Sequence, residues 1–432
     1  MKIVAFLPAK GTSTRITNKN MKLLNGKPLF LHTLEKLCSC DFIDEVYLDS
    51  ESSEILEYAS FLPYKSFKRD ISLADNNTGG DMLIYNEASQ IKADIYVQIF
   101  CPFPFINKST IKKGIDILLE SDEYDSVVLM KKDKLYRWED GVPAYYVNGT
   151  IPNSFDLPDT LSETMGLYMM RYEVATHLKS RIGKRPYLLM ADPIELIDVN
   201  TSSEFVLAER IAEGIQSNEQ HYFNSIKHFF SSAMFSDILT EMKLDKVITG
   251  LTLNLPGKKI FGRANTLKIR AVREGESYTG IYEALNTYAK IQRGEIIVVE
   301  NEFDDRSYFG ELNANLAIRA GAIGTILSGK TRDIGNVNLL DYPVFSAGYS
   351  ALDIRGMATY GGHYIPVQIK GITIFPGDLI FADIDGICVI PSKLEDEIIH
   401  KAKETIKQER KVLDEILDSK NAYDIYRQRG EF

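Results

Sequence analysis

The sequence predicts an α/β protein of two domains, and three observations carry that expectation. Between Ile3 and Asn200, strand-like apolar runs alternate with helix-compatible segments, the pattern of a largely parallel sheet flanked by helices. Near residue 222 the composition shifts to short aliphatic runs punctuated by glycine. The first apolar run passes through Pro8 into a small-residue loop carrying Lys10, Gly11, Thr12, Ser13 and Arg15. Domains of 1–221 and 222–432 are expected.

Within the first domain, strands are expected over Ile3 to Leu7, Glu45 to Leu48, Ile95 to Ile99 and Ser126 to Leu129. Helices are expected over Pro28 to Leu37, Ser53 to Ser60 and Lys108 to Glu120. Phe205, Leu207, Ala208, Ile211 and Ile215 recur at helical spacing, so Ser203 to Met242 reads as a closing helix plus connector. The second domain's aliphatic runs are Gly294 to Val299, Gly321 to Leu327 and Asp378 to Ala382. Lys393 to Ser419 is strongly charged with Leu, Ile and Ala at helical intervals, an amphipathic helix.

The chain has 432 residues, 44% of them hydrophobic, with a mean hydropathy of −0.14. It carries neither a secretory leader pattern nor an apolar stretch of about 18 residues, so a cytosolic protein without membrane contact is expected. The four cysteines (Cys38, Cys40, Cys101, Cys388) form no C-x-x-C pair and the six histidines no zinc spacing, leaving buried reduced thiols. A net charge of −10 argues against nucleic acid as a partner, because phosphate neutralisation needs a basic face. Against that background Lys10, Arg15, Lys19 and Lys22 cluster around the first loop.

A loop of this kind at the carboxyl end of a parallel strand places backbone N–H groups and cations where triphosphate oxygens can sit. It is neither the G-x-x-x-x-G-K-[ST] phosphate loop nor the dinucleotide G-x-G-x-x-G.

Pro8, Ala9, Ser13, Arg15, Lys19, Asn20, Gly26, Pro28 and Leu29 match a longer pattern, P-A-R-x-x-S-x-R followed by K-N-x-x-x-L-x-G-x-P-L. That pattern resembles the cytidylyltransferases that make CMP-sialic acid and CMP-KDO; Lys10 stands where they have Arg and keeps the charge without the fork. The likeness continues through Leu73, Asp75, Asp81 and Gln98, with Ile99, Phe100 and Cys101 replacing Pro-Thr-Ser. It implies a Rossmann-like nucleotidyltransferase domain that takes CTP. Pro8, Ala9, Lys10, Gly11, Thr12, Ser13, Asn20, Asp81 and Gln98 would bind the nucleotide, and Arg15 and Lys19 would stabilise phosphate charge. Asp156 and Glu163 would face the sugar, with Thr164 replacing the family's Asn. Glu195 to Glu204 resembles E-x-I-D-I-D-T, whose paired Asp side chains hold Mg²⁺; Asp198 keeps the first and Asn200 replaces the second.

In the second half, Phe309 to Ala317 and Gly321 to Asp333 are similar to, without matching throughout, the pattern G-E-L-x-x-x-A-x-x-x-G-x-x-G-x-V-x-D-G-x-x-R-D. With Phe235 to Leu239, Phe261 to Ala264, Pro376 to Asp378, Ala382 to Gly386 and Pro391, this resembles the family uniting the regulator of ribonuclease activity A with class II pyruvate aldolases. The resemblance implies an RraA-like α/β domain. Arg332 would hold a pyruvate carboxylate or enolate, Asp333 a divalent metal, and Glu311 a proton-handling water; Ser328 replaces the usual Asp before Gly329. It also implies a homo-oligomer, a trimer or hexamer.

Together these expectations describe a bifunctional enzyme of surface-polysaccharide synthesis, coupling a 2-keto sugar or ketose to CMP while the second domain acts on a related sugar or keto acid. Two alternatives stay open: a cytidylyltransferase whose RraA-like domain is a noncatalytic oligomerisation or regulatory module, and a ribonuclease-binding regulator with a degenerate first domain.

Overall fold

Ile3 to Leu7 are buried on both faces, which places β1 (Ile3–Pro8) in the middle of a covered sheet. In the computed structural model, which describes all residues except 14, 76, 148, 419–420 and 430–432, the chain divides into units Met1–Arg210 and Ile211–Phe432.

In the first unit β1 is followed by α1 (Leu29–Cys38), β2 (Glu45–Ser50), β3 (Lys65–Lys68), α2 (Gly80–Gln90), β4 (Ile95–Ile99), α3 (Lys108–Glu120), β5 (Ser126–Asp133), β6 (Thr160–Arg171) and β7 (Pro186–Met190). They form a seven-stranded sheet of order β7-β5-β6-β4-β1-β2-β3. β1 runs parallel to β2 and β4, with Pro8 opposite Asp49 and Phe6 opposite Gln98. The sheet is parallel as expected except at β6, which runs antiparallel to both β4 and β5. Helix α3 buries Ile111, Ile115 and Leu118 on one face. A Cβ on its Gly114 would come within 2.5 Å of the Met169 sulfur, so glycine lets α3 lie close against β6. Phe6, Tyr47, Phe67, Tyr96 and Tyr168 centre the core on one sheet face.

The border between the units falls inside α4 (Ser202–Ile226). The expected border at 221/222 lies in the same helix, which continues through both positions without a break in pattern.

The second unit continues with α5 (Ser232–Glu241), β8 (Val247–Ile248), β9 (Thr252–Leu253), β10 (Ile260–Ala271), β11 (Ile296–Asn301), β12 (Ser307–Phe309), α6 (Glu311–Ala320), β13 (Gly324–Leu327), β14 (Lys330–Thr331), α7 (Ile334–Leu339), β15 (Val344–Ser346), β16 (Ala358–His363), β17 (Leu379–Ala382), β18 (Ile387–Ile390) and α8 (Glu395–Leu417). The main path of its sheet is β8-β18-β17-β10-β11-β13-β15-β9. β10, β11, β13 and β15 are mutually parallel, and β16 adds to the far end of the long β10. Ile296 and Val298 of β11 enter one core while Ile297 and Val299 enter the other, as strand alternation requires. Ser419, the end of the expected terminal helix, lies outside the described residues.

Candidate functional site

The loop leaving β1 emerges between the carboxyl ends of β2 and β4. Its entry is fixed by the backbone: Ala9 N–H donates to Asp49 O at 2.8 Å, and Gly11 N–H donates to Glu51 Oε1 at 2.7 Å. A Cβ on Gly11 would meet the Ser52 Cβ at 2.8 Å, so only glycine fits this approach. The loop closes where Asn20 Nδ2 donates to Lys10 O at 2.8 Å.

Beside this loop lies a cavity of about 220 Å³ whose lining includes Lys10, Arg15, Lys19 and Arg69 together with Thr12 and Ser13, but neither Ala9 nor Gly11. Lys19 is buried, and its Nζ donates to Val199 O at 2.9 Å and Asn200 Oδ1 at 3.1 Å. Burial first, and the Arg15 cation second, lower its pKa. Asp198, half-buried beside it, is pushed up by burial against the opposing pull of Lys19, and its Oδ1 is buried without a hydrogen-bond partner among the described residues. Two segments about 180 residues apart, which sequence analysis singled out separately, therefore meet at Lys19.

Other expected residues are placed elsewhere. Lys22 sits over the Phe205 ring at 4.2 Å. Asp81, in the first turn of α2, pairs with Arg181 at 3.0 Å. Gln98 is buried in β4, donating from Nε2 to Glu87 Oε2 at 3.0 Å. Asp156 is exposed in a single helical turn, and Glu163 is exposed on β6, accepting a hydrogen bond from the Tyr168 hydroxyl. None of these five is among the described residues that line the cavity.

Arg69 escaped sequence analysis. It is 4% exposed, and its Nε and Nη2 donate to both carboxylate oxygens of the fully buried Asp49, at 2.7 to 3.1 Å. Being the only arginine between Arg15 and Arg137, next to the flagged Leu73–Asp75 segment, was its one available signal.

Behind this pair, burial and then the Asp49 carboxylate raise the Glu87 pKa well above the ordinary carboxylate range. The folded chain thus binds this proton more tightly than the unfolded chain. Its stabilising contribution is complete below the unfolded value of about 4.3 and is lost as pH rises through the folded value, by at most about 1.4 kcal/mol per pH unit. Glu87→Gln keeps a neutral hydrogen-bonding group, so its thermal midpoint is expected to fall less than wild type's as pH rises above about 4.3. Equal slopes would place the proton on another group.

In the second unit the expected residues converge at the β12–α6 and β14–α7 junctions. Arg332 N–H and the Thr331 hydroxyl both donate to Phe309 O, at 3.0 and 2.9 Å, which locks the two junctions together. Asp333 adopts a left-handed φ of 55°, and its Oδ2 accepts the Glu311 N–H at 3.3 Å. Glu311 Oε2 accepts from Asn336 Nδ2 at 2.7 Å. Arg332 Nε lies 3.7 Å from Asp333 Oδ2, while its Nη1 bonds Asp353 Oδ2 at 2.6 Å. Asp353 carried no sequence signal. Ser328 Oγ is turned to β11, accepting the Asn301 N–H at 2.7 Å. A Cβ on Gly310 would come within 2.4 Å of Asp333 Oδ2. Gly310→Ala is therefore expected to displace that carboxylate and cost about 1–3 kcal/mol in denaturant unfolding; an unchanged midpoint would mean that the junction yields.

Among the described residues, no group of three or more His, Cys, Asp or Glu side chains is arranged to hold a metal ion. The four cysteines form no disulfide, and all are buried. No described helix is long and apolar enough to cross a membrane.

The first unit is thus an α/β domain with a cationic loop at the carboxyl end of β1, and the second a separate α/β domain. Residues 4–179 match the family model described as Cytidylyltransferase, and residues 232–389 match the one described as Aldolase/RraA. The chain is 32% identical over 127 residues to the pseudaminic acid cytidylyltransferase of Campylobacter jejuni, covering 28% of this chain and 55% of that protein. It is 24% identical over 224 residues to the 3-deoxy-manno-octulosonate cytidylyltransferase of Geotalea daltonii, covering 46% and 86%. Among solved structures, RraAS2 of Streptomyces coelicolor, an unusual member of the RNase ES inhibitor RraA protein family, aligns with a TM-score of 0.38 and 25% identity, covering 42% of this chain and 90% of that one. The chain spans about half the length of the first curated relatives it matches, 55% in each case.

Proposed function

We propose that the first domain transfers the cytidylyl group of CTP to a hydroxyl of a sugar acid or related ketose, releasing pyrophosphate. The observation that carries this reading is the cavity at the carboxyl end of β1, where Lys10, Arg15, Lys19 and Arg69 converge beside the Asp198–Asn200 segment. Arg15 and Lys19 hold the phosphates and offset the charge that builds as the sugar oxygen bonds the α-phosphorus and the bond to pyrophosphate breaks. Thr12 and Ser13 supply hydroxyls at the same surface. The unpartnered oxygen of Asp198 fits a magnesium ligand, and Mg²⁺ bound there with CTP would supply further positive charge against the phosphates. Asn200 holds Lys19 and leaves Asp198 as the one carboxylate of that segment's pair.

The second domain, in this reading, acts as a metal-dependent lyase on a related keto acid: Arg332 receives its carboxylate, Glu311 positions a water, and Asp333 would hold the metal together with the substrate's own oxygens. One observation favours a noncatalytic module instead, because Arg332 is already engaged by Asp353. We further assign the protein to the cytosol, to surface-polysaccharide synthesis and to a homo-oligomeric state, in keeping with the families it resembles.

The test is incubation with CTP, Mg²⁺ and a panel of 2-keto acid sugars and simple ketoses, following pyrophosphate release and product mass. Release with one sugar is expected. Absence of both CTP binding and turnover across the panel would overturn the transferase reading.

A further inference from the structure

Helix α8 lies beyond residues 232–389, the part matched to the Aldolase/RraA family. One of its faces buries Ile398, Ile399 and Ala402 in a core with Phe230 and Phe235. Another carries Lys403, Lys407, Arg410, Asp414 and Leu417, which follow one another at steps of three or four residues and so stack in a single stripe. The first half of the stripe is basic; the second, with Asp418 at the C-cap, is acidic and apolar. Beside the basic half lies a cavity of about 440 Å³ whose lining includes Ile226, Phe229, Lys403, Ile406 and Lys407. Arg410 sits over the Phe229 ring at 5.3 Å and Lys403 over the Tyr222 ring at 5.4 Å. Phe229 is nonetheless 55% exposed, and Leu413 and Leu417 on the acidic half are 53% and 71% exposed.

We propose that this stripe docks a second copy of the chain: α8 pairs with the partner's α8, antiparallel, about a two-fold axis that crosses the helix between Arg410 and Lys411. A two-fold contact must be self-complementary, and the stripe meets that condition. Residues equally far from the axis face each other in such a pair, which sets Lys403 against the partner's Asp418 and Lys407 against the partner's Asp414. Symmetry makes each pairing twice. The same register brings the partner's Leu417 opposite Glu404, between Lys403 and Lys407, where it can enter the cavity beside Phe229. A parallel pair would set like charge against like along the whole stripe, so charge fixes the orientation. Exposed ion pairs contribute little individually, and covering Leu417 and Phe229 supplies the larger share of the affinity. Lys407, 2.7 Å from Glu404 in the single chain, gains the partner's Asp414 as a second carboxylate. At the axis Arg410 is held on Phe229, while Lys411 projects about 100° round the helix from it, so these cations are not driven together. The inference rests on the homo-oligomeric reading and gives it a contact.

The experiment is sedimentation velocity of the full-length protein over a range of micromolar concentrations. It compares wild type, the double variant Lys403→Glu with Lys407→Glu, the double variant Asp414→Lys with Asp418→Lys, and an equimolar mixture of the two variants. Each double variant gives the stripe one sign of charge throughout, so its pairing is expected to weaken about 100-fold and its particle to have half the wild-type mass. The mixture restores every opposite-charge pairing and is expected to recover the wild-type mass. Recovery separates a lost contact from a weakened helix, which mixing could not repair. Variants that keep the mass of an oligomeric wild type, or half-mass variants whose mixture fails to recover it, would overturn the α8 pairing and leave the homo-oligomeric reading standing. A wild type that sediments as a monomer throughout would remove both, and would leave the groove beside Phe229 to a ligand of another kind.

Discussion

Replacing Arg15 by alanine is expected to lower cytidylyl transfer by about 10²–10³-fold, the loss that follows removal of one group aimed at transition-state charge. Arg15 lines the cavity with an exposed side chain, so the variant should fold normally and keep the thermal midpoint of the parent. The measurement is pyrophosphate release with saturating CTP and the accepted sugar, resolved into kcat and KM. A fall in kcat at nearly constant KM would assign Arg15 to the transition state, whereas a rise in KM alone would assign it to ground-state phosphate binding. Unchanged turnover would remove Arg15 from the site. Lys19 is a less clean probe. Its buried ammonium also ties the first loop to Val199 and Asn200, and its removal would unfasten that segment as well as remove charge.

Arg69→Met is expected to have the largest effect on stability, about 3–5 kcal/mol, because it strands a buried carboxylate. Burial opposes the Arg69 charge, but the Asp49 carboxylate outweighs it and holds the guanidinium firmly protonated. With the cation gone, Asp49 remains fully buried next to Glu87, and its carboxylate loses the guanidinium that offsets its desolvation. Urea unfolding of Arg69→Met, Asp49→Leu and the double variant separates the terms. The double variant should regain most of the loss if the penalty is an unpaired charge rather than lost packing. Arg69→Lys keeps the charge without the fork and should fall between wild type and Arg69→Met.

Much of the fold was legible because its strands are simple. The runs Ile3 to Leu7, Glu45 to Leu48 and Ile95 to Ile99 are short segments dominated by apolar residues, and they became β1, β2 and β4. β6 was not legible. Its first half is mostly exposed and polar, and only Gly166 to Met170 are buried, so its short apolar run marks less than half of the strand. Nothing local could announce that it inserts antiparallel between β4 and β5. The unit border was hidden for a similar reason, since a regular helix crosses it and composition does not change at Arg210.

Sequence alone determined the chemistry on offer: a loop of small residues and cations after an apolar strand, an acidic segment around Asp198, and an Arg332–Asp333 pair following Glu311. These are local patterns, written in consecutive residues, and a single chain suffices to read them. Tertiary structure decided which of them act together. Asn200, a departure from the expected Asp, became the acceptor for a lysine about 180 residues earlier. Gln98 was taken by Glu87, Arg69 was drawn to the cavity by Asp49, and Arg332 was given Asp353 as an occupant. Each of these outcomes depends on a contact between residues distant in the chain. Such a contact is fixed by sheet order and burial, and neither is recorded in the spacing of residues.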